Sequence, residues 1–271
     1  MNKKILPSPF GATTDVSETP TQPMPLGKQM LQKVPEVTVF FWIIKLLTTA
    51  VGESTSDYLV NTIDPVIAVI LAGIVLVVVL VLQFSVRRYI AWIYWLTAVM
   101  VAIFGTMGAD AVHIVLGVPY LTSTIFFAVV LAIVFIAWYV CEKTLSIHSI
   151  YTRRRELFYW AAIMTTFALG TAAGDMTAST LKLGYFLSAV LFLAIIAIPA
   201  TGYFGFKLNA IFAFWFAYII TRPLGASFAD WFGKPVPSGL GFGDGTVSLI
   251  LYFLIIVFVG YLTVTHKDVK S

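Results

Sequence analysis

The feature that most constrains this chain is a series of long apolar segments that occupies most of its length. Each has about 20 residues, the number that an α-helix needs to cross the hydrocarbon core of a bilayer. With 59% hydrophobic and only 11% charged residues, a soluble domain could not cover its apolar surface. Eight segments are predicted to span a membrane: Val37–Tyr58, Pro65–Phe84, Tyr89–Ala109, Thr122–Glu142, Leu157–Gly174, Leu183–Phe204, Leu208–Ala229 and Thr246–Thr265.

These segments predict helices rather than strands, because their apolar residues do not alternate and an open sheet leaves backbone groups unpaired in lipid. We therefore expect an all-α polytopic membrane protein with one membrane domain over residues 35–266. Residues 1–34 are rich in Pro, Thr and Ser and lack the apolar core of a signal peptide. They are predicted to be a disordered N-terminal tail, and residues 267–271 a short C-terminal one.

Lysine and arginine are distributed unevenly between the two ends of the predicted spans. Of the 17 basic residues, thirteen lie on one side, whereas only Lys182 and Lys234 lie on the other. The positive-inside rule then predicts that both termini are cytoplasmic and that the other, acidic side faces outward. Because the basic residues flank apolar runs, the net charge of +4 indicates a lipid bilayer as partner and not a nucleic acid.

An internal repeat organises the chain. Each odd-numbered span carries an aromatic residue followed by Trp, a Gly ten residues after the Trp and an Asp fifteen after it. The four copies are Trp42, Gly52 and Asp57; Trp95, Gly105 and Asp110; Trp160, Gly170 and Asp175; and Trp215, Gly225 and Asp230. They divide the chain into two-helix repeats at about 35–86, 87–151, 152–206 and 207–266. Repeats that all enter the membrane in the same sense are related by an axis along its normal.

With this repeat the chain resembles a bacterial membrane-protein family of four tandem repeats of unknown function, each with two spans and a characteristic Trp. The most individual stretches are TTAVGESTSDYL (from Thr48), GTMGAD (from Gly105), GTAAGD (from Gly170) and TRPLGASFAD (from Thr221). The resemblance covers the chain from about Pro35 to His266. It implies an eight-span protein of a bacterial inner membrane and no established activity.

Helical geometry places the polar residues of each odd span on one face. Positions 0, 7, 11 and 15 after the Trp lie within about 80° of the helix surface. In the first repeat this face carries Glu53 and Asp57, and in the fourth Arg222 and Asp230. Because polar groups are costly in lipid, we predict that the odd helices line the interior and the apolar even helices form an outer layer.

The repeated Gly and Trp residues each have two interpretations. The glycines could be flexible or binding positions, but close packing of helices through small residues is the favoured interpretation. The tryptophans could anchor the helices at the membrane interface or pack between repeats, and both interpretations stay open.

The four repeated Asp residues lie near the outward boundary of the hydrocarbon. They could simply face water, although a carboxylate at a helix C-terminus opposes the helix dipole. We predict a ring, or two facing pairs, that concentrates cations or holds protons. The candidates for translocation or binding are Asp57, Asp110, Asp175, Asp230, Glu53, Lys45 and Arg222.

Lys45, Glu53 and Arg222 have no charged counterparts in the other repeats. Charges this deep in a membrane normally pair with one another, and the first and fourth repeats are neighbours in a closed ring. We therefore predict a pair between Glu53 and Arg222, with Asp57 and Asp175 as competitors for the arginine.

These features favour a transporter or channel for a small cation or a proton-coupled solute. The alternative is a non-transporting membrane scaffold or an intramembrane enzyme. Enzyme activity is less favoured, because Lys45, Glu53, Arg222 and His113 match no known catalytic signature. No cofactor is predicted, whereas a metal and a homo-oligomer both stay open. Pro223 is expected to interrupt the seventh helix locally.

Overall fold

Eight long α-helices make up the fold of residues 32–269, which are described by a computed structural model; this range contains no β-strand. The predicted tail residues 1–31 and 270–271 lie outside the described range. A wider helical turn over Met176–Thr180 follows the fifth helix, and a short 3₁₀ turn over Ile147–Ser149 precedes it. The helices are α1 (Val39–Thr62), α2 (Pro65–Ser85), α3 (Ala91–Ile114), α4 (Tyr120–Glu142), α5 (Arg153–Asp175), α6 (Gly184–Phe206), α7 (Ala210–Gly233) and α8 (Asp244–Thr265).

The predicted all-α polytopic fold class is confirmed. Seven helices of the described range, all except α1, are long and apolar enough to cross a membrane. The sequence of α1 is more polar, since it contains Lys45, Glu53 and Asp57 among several hydroxyl residues. Its 24 residues nevertheless pack against α3, α7 and α8, which places α1 inside the same bundle.

The odd-numbered helices form a closed inner ring. Helix α1 contacts α3, α3 contacts α5, α5 contacts α7, and α7 returns to α1. In α3, α5 and α7 between 56% and 61% of the most apolar segment is buried, against 11% to 22% in the even helices. The predicted division into an inner odd layer and an outer even layer is therefore confirmed.

Each even helix packs mainly against the odd helix of the next repeat. Helix α2 lies on α3, α4 on α5, α6 on α7, and α8 on α1, whereas α2 has far less contact with α1 of its own repeat. Asp64 separates α1 from α2, and its carboxylate accepts hydrogen bonds from the first backbone amides of α2. A single repeat therefore buries little apolar surface by itself, and the bundle depends on all four repeats being present.

The repeated glycines lie where neighbouring odd helices cross. Each faces the residue seven positions after the Trp of the next repeat, and a β-carbon on any of them would collide with that residue. The four contacts are Gly52 with Ala102, Gly105 with Phe167, Gly170 with Arg222, and Gly225 with Thr49. Because the last contact returns to the first repeat, one packing rule applies all the way round the ring.

The aromatic residues before the tryptophans form a layer across the ring. Each contacts the Trp of the next repeat, with ring centroids between 5.5 and 6.3 Å apart. The pairs are Phe41 with Trp95, Tyr94 with Trp160, Tyr159 with Trp215, and Phe214 with Trp42. These eight side chains, here called the aromatic layer, fill the interior of the ring at one depth.

Helix α7 runs through Pro223 without interruption, so the predicted local break is wrong. Proline removes one backbone donor and normally disturbs a helix at this point. Pro223 is buried against Gly170 and Gly174 of α5, and the absence of side chains there leaves room for its ring. Packing between the two helices therefore holds α7 together despite the lost bond.

Residues 32–38 cross the end of the bundle at which most basic residues lie, here called the basic end. The backbone amide of Lys33 donates to the carbonyl of Ile150, and that of Glu36 to the carbonyl of Asp268. The Lys33 ammonium group also bonds to the buried carboxylate of Glu156. The last residues of the predicted tail are thus bound to the bundle, as is the segment after α8.

Candidate functional site

Arg222 lies at the centre of the inner ring, and its side chain is fully buried. It projects from α7 and reaches the other three odd helices. Its Nη2 atom lies 2.6 Å from a carboxylate oxygen of Glu53 and 2.6 Å from the hydroxyl of Thr171, and it also contacts the hydroxyl of Thr106. Its Nη1 atom donates to the carbonyl of Thr49 at 3.4 Å. The predicted pair between Glu53 and Arg222 is confirmed.

The repeat explains why one arginine can reach three helices. Glu53, Thr106 and Thr171 all occupy the position eleven residues after their Trp, so they point inward at one level. Arg222 starts one turn below that level and extends toward it. A guanidinium group can donate five hydrogen bonds, which makes arginine suited to joining several acceptors at one point.

Carboxylates collect at the end of the ring beyond Arg222, here called the acidic end. Carboxylate oxygens of Glu53, Asp175 and Asp230 lie within 4.8 Å of one another. Asp110 is half-buried and makes no side-chain hydrogen bond within the described range. Asp57 and Asp244 of α8 complete this group. We call its six members the acidic mouth: Glu53, Asp57, Asp110, Asp175, Asp230 and Asp244.

Lys234 lies directly after α7 and joins one side of the acidic mouth. Its ammonium nitrogen bonds to Asp57 and lies 3.7 Å from Asp230 and 3.8 Å from Asp244. Burial disfavours the charged amine, but Asp57 and Asp230 outweigh this effect and raise the pKa of Lys234 above its ordinary value. Lys234 and Asp244 were missed as site residues. The available signal was that Lys234 is one of only two basic residues on the acidic side.

Lys45 lies deeper in the ring than Arg222 and has an unusual environment. Its side chain is 1% exposed, and its ammonium group has no hydrogen-bond partner within the described range. The nitrogen lies 4.1 Å from the ring centre of Phe167 and 4.0 Å from that of Tyr218. Ring faces attract a cation, so these two aromatic residues offer the Lys45 nitrogen a favourable contact in place of an acceptor.

The aromatic layer closes the ring between Lys45 and the basic end. The hydroxyl groups of Tyr94 and Tyr159 lie 2.5 Å apart and share a hydrogen bond across its centre. Tyr218 adds a further ring, with centroid distances of 6.4 Å to Phe41 and 5.5 Å to Phe214. The interior is therefore polar and acidic at one end and filled by aromatic side chains toward the other.

The other predicted candidate, His113, takes part in a loop contact. Its Nδ1 atom lies 2.6 Å from the carbonyl of Val118, and its ring stacks on Tyr120 with centroids 3.5 Å apart.

A groove of about 1050 Å³ also lies outside the ring, between α1, α6 and α7. Apolar side chains line most of that groove, and Glu36 and His148 are its ionisable lining residues, so it lacks the cluster of carboxylates that forms the acidic mouth.

The acidic mouth supplies the ligands that small hard cations prefer. Carboxylate oxygens bind alkali and alkaline-earth ions, and Glu53, Asp175 and Asp230 are close enough to share one ion. Carboxylates this close together can also share protons, because like charges in one site cannot all ionise freely. Among the described residues, Arg222 and Lys234 are the two cations in contact with these six carboxyl groups.

Comparison with known proteins identifies the repeat and no named relative. A family model described as a repeat of unknown function (DUF347) matches the chain four times, over residues 40–89, 93–144, 158–207 and 213–268. Together these matches cover well over half of the chain. No curated protein and no solved structure matches it.

Proposed function

The chain belongs to the family of this repeat of unknown function (DUF347), and we propose that it transports a small cation, or a solute coupled to protons. In this proposal it lies in a bacterial inner membrane with both termini in the cytoplasm and the acidic mouth facing outward. The observation that carries the proposal is the acidic mouth itself, which surrounds the interior of a closed ring of four helices. Rings of carboxylates at a pore entrance attract cations and exclude anions.

The side chains that fill the interior of the ring favour a carrier over an open channel. Arg222, Lys45 and the aromatic layer occupy the interior one after another, so no ion could pass without a rearrangement. In carriers, the substrate site opens to one side at a time while repeats move against each other. The four glycine contacts are where neighbouring odd helices pack directly against each other, so any movement of one repeat against the next would take place across them.

We assign a separate role to each charged group. Glu53, Asp175 and Asp230 would hold the cation or the protons, because their oxygens already lie together. Arg222 competes with the cation for Glu53, so binding of one releases the other. Such competition couples the occupancy of the site to the position of an arginine that contacts the other three odd helices.

A flux screen in proteoliposomes tests the proposal, with protons, alkali ions and divalent ions offered in turn. We expect flux of one ion in the parent protein, and its loss when Asp57, Asp110, Asp175 and Asp230 are all changed to Asn. The matched control is Asp64→Asn, which removes a carboxylate at the same end but outside the ring and keeps a residue able to cap α2. Absence of flux for every ion, or flux unchanged by the four-Asn variant, would contradict the proposal.

A further inference from the structure

A small pocket lies at the basic end of the bundle, at the other end of the odd helices from the acidic mouth. It has a volume of about 210 Å³ and lies between the end of α2 and the start of α5. The residues that line it are Lys33, Phe84, Val86, Arg87, Tyr151 and Arg153. Three of the six are cationic, and no carboxylate is among them.

The charges of this pocket are only partly neutralised. Lys33 is paired with the buried Glu156. Arg87 and Arg153 are exposed, and neither has an ion pair or a hydrogen bond within residues 32–269. The lining therefore carries two positive charges that no described side chain of the protein matches.

The start of α5 adds to this positive potential. Thr152 caps the helix by accepting a hydrogen bond from the backbone amide of Arg155, and Arg153 is the first helical residue. The N-terminus of a 23-residue helix favours an anion through its free amides and its dipole. Arg87 and Arg153 both line the pocket, and Arg153 is the first residue of α5, whose first turn also contains the Glu156 that pairs with Lys33. The fork of each unpaired arginine suits the oxygen atoms of a phosphate.

The position of the pocket indicates where the phosphate would come from. Helix α2 is the most apolar span of the chain and ends at Ser85, so Phe84, Val86 and Arg87 lie where hydrocarbon gives way to lipid headgroups. Phe84 and Val86 offer an apolar wall beside the two arginines. We propose that this pocket binds the phosphate group of an anionic phospholipid. This assignment does not depend on the proposed transport.

Binding of phosphatidylglycerol to the purified full-length protein in neutral detergent tests the assignment, with native mass spectrometry as the readout. The pocket variant carries Arg87→Gln and Arg153→Gln. The control variant carries Arg88→Gln and Lys143→Gln, which remove the same charge from the same end outside the pocket. We expect the dissociation constant to rise about 30-fold in the pocket variant, since each basic residue near a headgroup contributes about fivefold. The control should change little.

Two further arms make the outcome decisive. A variant with Arg87→Lys and Arg153→Lys keeps the charge and should restore part of the binding, which separates loss of the site from misfolding. Inorganic phosphate in place of lipid identifies the source of the group: if it binds the parent protein and not the pocket variant, the site also takes free phosphate. Equal weakening in the pocket and control variants, or no weakening in either, would overturn the proposal.

Discussion

The two halves of the inner ring differ in how closely they follow the repeat. In the aromatic layer all four repeats supply the same class of residue, and every contact obeys one rule around the ring. In the polar half the Asp is the only polar residue present in all four repeats, and the level above Arg222 holds Glu53, two threonines and Ala226. The repeat thus builds the frame, whereas the distinctive chemistry lies where the repeats differ.

Electrostatics explains why the polar half departs from the repeat. Four arginines at the level of Arg222 would repel one another in this buried space, and four buried glutamates would do the same. One arginine with one glutamate and two hydroxyl partners avoids this repulsion. Aromatic rings carry no net charge, so the other half can use the same residues four times.

The largest effect is expected from breaking the pair at the centre of the polar half. Arg222→Gln leaves Glu53 buried without its partner and should lower the free energy of unfolding by about 3–5 kcal/mol. Glu53→Gln should cost less, because Thr106 and Thr171 still accept from Arg222. A double-mutant cycle followed by thermal unfolding in detergent measures the coupling. Strictly additive effects would show that the pair contributes nothing.

A smaller effect is expected from disturbing the frame. Gly105→Ala places a methyl group against Phe167 and should destabilise the protein by about 1–3 kcal/mol, as over-packing does. Gly108→Ala, one turn further along α3, meets open space and should be neutral or stabilising by about 0.5–1 kcal/mol. Comparing the unfolding temperatures of the two variants separates the effect of a methyl group at the helix crossing from the general effect of replacing Gly by Ala. Equal shifts in unfolding temperature would show that the packing around Gly105 is no tighter than that around Gly108.

Lys234 should contribute about 1–2 kcal/mol to the free energy of unfolding, chiefly through its charged hydrogen bond to Asp57. The variant Lys234→Met should be less stable by this amount. Its pKa is raised in the folded protein, so the folded state holds the proton more tightly than the unfolded state. The contribution is therefore fully present below the ordinary lysine value of about 10.4 and is lost as the pH rises through the higher folded value. The stability difference between parent and variant should be constant near neutral pH and shrink above about pH 10.5. A difference that grows with alkaline pH would reverse the assigned sign.

The smallest effect is expected from the hydrogen bond between the two tyrosine hydroxyl groups of the aromatic layer. Tyr94→Phe removes the hydrogen bond to Tyr159 and should cost about 1 kcal/mol, the usual net value of such a bond. Because the ring itself stays, the contact with Trp160 should persist. Thermal unfolding measures the cost, and tryptophan fluorescence checks the packing. A large loss of stability would mean that the hydroxyl pair, and not ring packing, holds this layer together.

The sequence was sufficient for the frame and for one central contact. Apolar run lengths predicted the helices, and polar faces predicted which of them lie inside. Glu53 and Arg222 could be paired because both are isolated charges at similar depth. The contacts of Lys234 could not be predicted, because they depend on how the segment after α7 folds back over Asp57. The continuity of α7 at Pro223 depends on space that α5 provides, which no local pattern reveals.

The offset between repeats was equally hidden from the sequence. The repeat predicts two-helix units, yet α2 packs on α3 and α8 returns to α1. Which neighbour an apolar helix covers is decided by the tilt and spacing of the ring, and a uniformly apolar surface carries no directional signal.

The central claim is that the acidic half of the ring is open to one side and the aromatic half is sealed. Labelling of single cysteines by a membrane-impermeant thiol reagent tests this most directly. In a Cys141→Ser background, Asp110→Cys reports on the acidic mouth and Tyr94→Cys on the aromatic layer. With reagent added only at the acidic end, the account predicts rapid labelling at position 110 and none at position 94. Equal labelling at both positions would reveal a continuous pore, and no labelling at position 110 would show that the mouth is closed; either result contradicts the account.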